Sequence, residues 1–215
     1  MDTARPVATQ YDGAMNYLAH ILLARQSDAA MVGALLGDFV KANGGEAYPP
    51  EIAFEITLHR QIDRYTDAHP IVRAAWREFD PSRRRYAGIL LDVHYDHLLA
   101  QRWDQYCDIP RDAFIQRFYR ALEAYQALLP DTLRQIAPLM IDEDWLGRYH
   151  DFAGVEWAIA RISRRLSRNG HLLREGLDDL RTHAAGLAAG FDAFFPALVA
   201  FTQDRRREAG EGRAA

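Results

Sequence analysis

His20, Asp38, His59, Asp63, Asp92, Asp96 and His97 are side chains able to bind a cation, and all lie in the first half of a 215-residue chain. Most stand where an apolar residue would be the ordinary choice. Ile52, Ile56, His59 and Asp63 are separated by four, three and four residues, steps that keep one helical face turned the same way. His59 and Asp63 therefore continue an apolar stripe, and Asp67 lies one turn further on. The run GILLDVHYDHLLA, residues 88–100, is apolar on most sides and reads as buried. Within it Asp92 and Asp96 stand one turn apart on the stripe of Ile89 and Leu99, and His97 falls in line with Val93. Carboxylates one turn apart repel each other unless a cation lies between them. Burying one without a partner is strongly unfavourable. A divalent ion removes both difficulties. His20 sits amid Leu18, Ala19, Ile21 and Leu22, and Asp38 lies near a helix C-terminus, where its charge opposes the helix dipole.

Helical bundles build metal centres from inward-pointing His and acidic side chains on facing helices. Mixed nitrogen and oxygen donors suit manganese, magnesium, iron or zinc. The expected metal ligands are Asp38, His59, Asp63, Asp92 and Asp96. His20, His97, Asp67 and His69 are the other candidate catalytic residues. Taken singly, each of these residues reads as a buried hydrogen-bonding or Arg-paired group, with Arg60 and Arg64 available to Asp63. Taken together they read as a metal site.

The elements that must position them are helical. Apolar residues recur at helical spacing from Ala14 to Arg25, from Ser27 or Asp28 to Val40, from Pro50 to Asp67, from Ile71 to Phe79 and from Arg84 to Trp103. Further helices are expected over 112–129, 136–140, 144–149 and 155–166. A last long one carries Leu173 to Phe194, with Pro196 kinking or ending it. No strand alternation is evident. The expected fold is all-α, a single-domain multi-helix bundle over residues 15–203. Residues 1–14 read as an unstructured extension and 204–215 as a frayed tail.

Composition narrows the function. Hydrophobic residues make up 49% of the chain, as in a globular protein, and the net charge of -4 excludes a general nucleic-acid binder. Cys107 is the only cysteine, so no intramolecular disulfide and no thiolate cluster can form. The single cysteine fits a reducing cytoplasm, and no signal-peptide stretch and no bilayer-length apolar segment is expected. Phosphate-binding Gly-rich loops and a Ser nucleophile elbow are missing from the sequence.

MNYLAH (Met15–His20), GDFVKAN (Gly37–Asn43), HRQID (His59–Asp63), TDAHP (Thr66–Pro70) and LLDVHYDHLLAQRW (Leu90–Trp103) carry a family likeness. With WLGRY (Trp145–Tyr149), ISRRL (Ile162–Leu166) and the final aromatic helix, the chain resembles the acyl carrier protein phosphodiesterases over about Met15 to Phe201. The resemblance implies removal of the 4'-phosphopantetheine arm from holo-acyl carrier protein, and it implies manganese. It also implies an HD-like bundle, since the family is similar to the HD-domain metal phosphohydrolases. No adjacent His-Asp doublet occurs here, and Asp96-His97 is the reversed order. On this reading a metal-activated water attacks phosphorus. Arg60 and Arg64 would hold the phosphate or anchor carboxylates. Arg83 and Arg84, or Arg161, Arg164 and Arg165, would dock the acidic carrier protein; no nucleic acid and no membrane is expected as a partner. The rival readings are a hydrolase of nucleotides or other small phosphoesters, and a non-catalytic helical module that binds a carrier protein.

Overall fold

Helix boundaries follow the capping chemistry in the sequence. In the computed structural model, which describes residues 17–41 and 44–214, Ser27 Oγ accepts the Ala30 N–H at 3.0 Å and opens a helix. Pro50 and Pro70 each occupy the first helical position, where the missing N–H costs nothing. His69 ends one helix, and its Nδ1 accepts the Ile71 N–H at 3.4 Å to start the next.

Ten α-helices and no strand are found among the described residues. They are α1 (Tyr17–Leu23), α2 (Asp28–Leu36), α3 (Pro50–Ala68), α4 (Pro70–Glu78) and α5 (Ala87–Gln101), then α6 (Arg111–Ala124), α7 (Asp131–Asp142), α8 (Phe152–Arg165), α9 (Gly170–Thr182) and α10 (Ala184–Ala214). Short 3-10 turns join several of them. All ten helices contribute to one main hydrophobic core. Helix α5 runs through its middle, against α1, α4, α8, α9 and α10. Helices α2 and α3 pack closely because Gly33 has no side chain: a Cβ there would lie 2.8 Å from Glu55 Cβ. That contact brings the end of α2 against the His59 turn of α3.

Several expectations are corrected. The segment from Asp204 is helical to Ala214 rather than a frayed tail, because it has an anchor. Arg206 pairs with the buried Glu55 of α3, and its Nη2 donates to the Leu23 carbonyl at 2.9 Å. The last long helix is two helices, broken at His183. Pro196 lies inside α10 without ending it, since buried Phe194, Phe195 and Leu198 hold the turns on either side. The helix expected over 112–129 stops at Ala124, and the one expected over 136–140 extends to Asp131–Asp142. The stretch Ala184–Gly210 is, against expectation, long and apolar enough by length and composition to cross a membrane. Its outer face is largely alanine and glycine, while Leu187, Phe191 and Phe194 fill the core. The extension expected over 1–14 lies outside the described residues.

Candidate metal centre

Helix α3 delivers His59 and Asp63 one turn apart on its inward face. The ring of His59 lies against the backbone at the end of α2, which only a glycine permits: a Cβ on Gly37 would fall 2.2 Å from His59 Cγ. Here the ring is locked. His59 Nδ1 stands 2.7 Å from the Ala34 carbonyl oxygen. A carbonyl only accepts, so Nδ1 carries the hydrogen and Nε2 is left with its lone pair in the neutral ring. That Nε2 faces Asp38 Oδ1 and Asp63 Oδ2, each at 3.3 Å.

Helix α1 adds His20. Its Nε2 is 3.1 Å from Asp63 Oδ1, and its ring stacks on His59 with centroids 3.8 Å apart and planes 19° from parallel. One donor atom from each of His20, His59 and Asp63 can be chosen so that all lie within 4.8 Å of one another. Both rings are buried, at 2% exposure, while the Asp63 carboxylate between them is a third exposed and opens the arrangement to solvent.

The electrostatics ask for a cation. Burial pulls the His59 pKa down, but Asp38 and Asp63 outweigh it and hold it up at about 10. Burial and the neighbouring His59 push His20 the other way, below its ordinary value, against the opposing pull of Asp63. Asp92, reaching in from α5, is pushed well above the carboxylate range, first by burial and then by Asp63, Asp67, Asp96 and Asp38. Negative charge is thus in excess around the histidines. Asp38 Oδ2 is also buried without a hydrogen-bond partner. Two imidazole nitrogens and carboxylate oxygens converging on such a point fit a divalent ion of the manganese-to-zinc range. The Nδ1–H···O=C bond to Ala34 is the kind of outer contact that aims a ligating imidazole.

Comparison with known proteins identifies the family. A family model described as acyl carrier protein phosphodiesterase matches residues 15–198. The chain belongs to the acyl carrier protein phosphodiesterase family. A relative named acyl carrier protein phosphodiesterase from Escherichia coli O157:H7 is 36% identical over 190 residues, covering 86% of this chain and 96% of the relative. One of the same name from Yersinia enterocolitica serotype O:8 is 33% identical over 195 residues, covering 89% of this chain and 100% of the relative. No solved structure matches the chain significantly.

In this family member, His20, Asp38, His59 and Asp63 come together as ligand-type groups, with Asp92 and Asp67 in electrostatic reach. Three other residues are placed elsewhere. Asp96 Oδ2 and Oδ1 accept the Leu18 and Ala19 N–H groups, both at 2.9 Å, so this carboxylate caps α1. His97 turns to the far side of α5, where its Nδ1 donates to the Tyr149 carbonyl at 2.7 Å. His69 is the cap of α4 and packs on Phe194, with centroids 4.9 Å apart.

The arginines divide similarly. Arg83 grips Asp179 through Nε and Nη2 at 2.9 and 3.0 Å. Arg84 donates to the carbonyls of Arg77 and Phe79, both at 3.1 Å. Arg161 pairs with Glu143 at 2.6 Å and lies over Trp145 and Trp157. These three make contacts that hold the fold together. Arg60 Nη2 donates to the Val40 carbonyl at 2.6 Å, which ties the segment after Asp38 to α3. Arg64 is an exposed side chain whose Nε donates to the Arg60 carbonyl. Arg164 and Arg165 are exposed. Arg165 acts on Tyr17, whose pKa burial and Asp38 raise and Arg165 opposes. Tyr17 stacks on Phe39 next to Asp38, so Arg165 lies toward the centre's edge. Gly37 and the Ala34 carbonyl were not singled out from sequence; the glycine directly before Asp38 was the one available signal.

Proposed function

We propose that the chain hydrolyses the phosphodiester between 4'-phosphopantetheine and the serine of holo-acyl carrier protein, leaving the apo protein. The observation that carries this reading is His59, tied through Nδ1 to the Ala34 carbonyl and with Nε2 aimed at two carboxylates. Family membership supplies the substrate. His59 Nε2, His20 Nε2, Asp38 and Asp63 would hold the metal, manganese first among the divalent candidates, with Asp92 completing the set from α5. When bound, such an ion supplies an acidified water and neutralises phosphoryl charge.

The chain's own residues do the rest. Ala34 and Gly37 fix the His59 ring, so its lone pair needs no reorientation. Asp63 bridges both imidazoles and keeps them stacked. Asp67, one turn beyond Asp63, would take or give the proton at the serine oxygen. Asp96 acts indirectly, by fixing the start of the helix that carries His20. Arg64, Arg164 and Arg165 offer exposed positive charge to an acidic carrier protein, which steers encounter more than it holds the complex. The lone, buried cysteine suits a reducing cytoplasm.

A purely carrier-binding module would tie its acids to arginines, whereas Asp38 and Asp63 face histidines. A small-phosphoester hydrolase would share the centre and differs only in substrate. Intact-mass spectrometry of holo-acyl carrier protein, incubated with enzyme and manganese beside a nucleotide panel, separates these. Loss of the prosthetic arm, abolished by His59→Ala and by chelation, is the expected result. Turnover of nucleotides alone would replace the substrate, and no turnover at all would remove the catalytic reading.

A further inference from the structure

On the face of α5 turned away from Asp92 lies a second, half-open cavity of about 470 Å³. His94, two residues on from Asp92 and so about 200° around the helix, lines it. The volume falls in the range of small-molecule sites, and the walls have their usual make-up. Leu98, Phe152 and the small side chains of Ala184, Ala185 and Ala188 are apolar, while His94, His97, Gln101, Arg102 and Arg181 are polar.

Two features suit the cavity to a ligand with polar groups. His94 is only 3% exposed, yet neither of its ring nitrogens has a hydrogen-bond partner. A buried imidazole with both nitrogens unmatched is costly unless something supplies a donor and an acceptor. His97 points the same way: with Nδ1–H given to the Tyr149 carbonyl, its Nε2 is set as an acceptor. The inner part of the cavity therefore asks for a hydroxyl or amide, which can both donate and accept. The other feature is positive charge. Arg102 directs Nε and Nη2 to Asp192, leaving Nη1. Arg181 lies over Phe152, and its pairs with Glu156 and Asp178 are half-exposed, of the kind that contributes little. Arg181 can turn to an oxyanion with small loss while Arg102 keeps its pair and offers Nη1, and Arg forks match phosphate geometry.

We infer that this cavity is a second small-molecule site, which binds a phosphate monoester carried on an amide- or hydroxyl-bearing chain. The phosphoryl group meets Arg181 and Arg102, the chain lies along the alanines and Phe152, and a polar group of the chain meets His94 and His97. The arm released by the proposed reaction belongs to this chemical class. That link rests on the proposed function; the binding itself does not.

Isothermal titration of the metal-loaded full-length protein with 4'-phosphopantetheine tests the site, with pantetheine and inorganic phosphate as the two partial probes. Asp63→Asn disables the metal centre as a competing phosphate site. Binding should survive in that variant and weaken at least tenfold in His94→Leu and in Arg181→Gln. Each partial probe should bind at least tenfold more weakly than the whole. Arg181 is on the surface, so its variant keeps the test decisive if His94→Leu does not fold. Binding lost in Asp63→Asn but retained in Arg181→Gln would assign the ligand to the metal centre and overturn the inference, as would no binding at all.

Discussion

Replacing Gly37 by Ala tests whether the His59 ring is held where the chemistry needs it. The added Cβ would lie 2.2 Å from His59 Cγ, 2.5 Å from Cβ and 2.6 Å from Cδ2. Ordinary contact begins near 3.4 Å, so ring and helix must separate by about 1.2 Å. The Nδ1–H···O=C bond to Ala34, 2.7 Å long, cannot survive that shift, and Nε2 leaves Asp38 and Asp63. Overpacking costs about 1–3 kcal/mol and a buried carbonyl left without its donor costs about 1–3 kcal/mol more. A displacement of that size at a reacting centre lowers turnover on the order of 100-fold. Urea unfolding should show a loss of about 2–6 kcal/mol, the combined range of these two terms. Manganese titration should show weakened binding. Gly186→Ala is the control, because a Cβ there meets nothing within 4 Å; it should be neutral or slightly stabilising. Wild-type metal affinity and stability in Gly37→Ala would refute the reasoning.

Three other outcomes follow from the same contacts. The His59 pKa is raised from 6.5 to about 10 in the metal-free protein, so the stability it contributes is complete below pH 6.5 and is lost as pH climbs toward 10. Thermal melts should show the chelated protein losing stability between pH 7 and 10 while the manganese-loaded protein holds, since the metal takes the proton's place. Asp96→Asn leaves one acceptor oxygen for the two buried amides of α1 and should cost about 1–3 kcal/mol, yet leave one metal per chain by elemental analysis; loss of the metal would return Asp96 to the ligand set. Arg206→Ala leaves the carboxylate of Glu55, 2% exposed, without its countercharge. Denaturant titration should register a loss of about 3–5 kcal/mol, partly recovered by adding Glu55→Gln.

Sequence periodicity made part of the centre legible because it fixes directions on one helix. His59 and Asp63 share a face with Ile52 and Ile56, and that face does turn inward. The same rule misled at Asp96. Its spacing from Asp92 matches that of His59 from Asp63, but the amides that occupy Asp96 belong to Leu18 and Ala19, 78 and 77 residues away. A residue's own helix says where it points, not what will arrive there. His97 is one residue beyond Asp96, about 100° around the helix, and so faces Tyr149 rather than the histidine pair. Local capping was readable at Ser27, where every participating atom lies within one turn. The arginines were not readable, because a guanidinium reaches several partners and only the fold decides among them. The tail was misjudged for the same reason: its composition is polar, but Arg206 meets Glu55 across 151 residues.

Anomalous diffraction at the manganese edge, from crystals of the manganese-loaded protein, is the most direct test of the metal centre. One peak is expected, bonded to His59 Nε2 and the Asp63 carboxylate and flanked by His20 and Asp38. A peak elsewhere, or no peak with His59 Nε2 protonated between its two carboxylates, would contradict it.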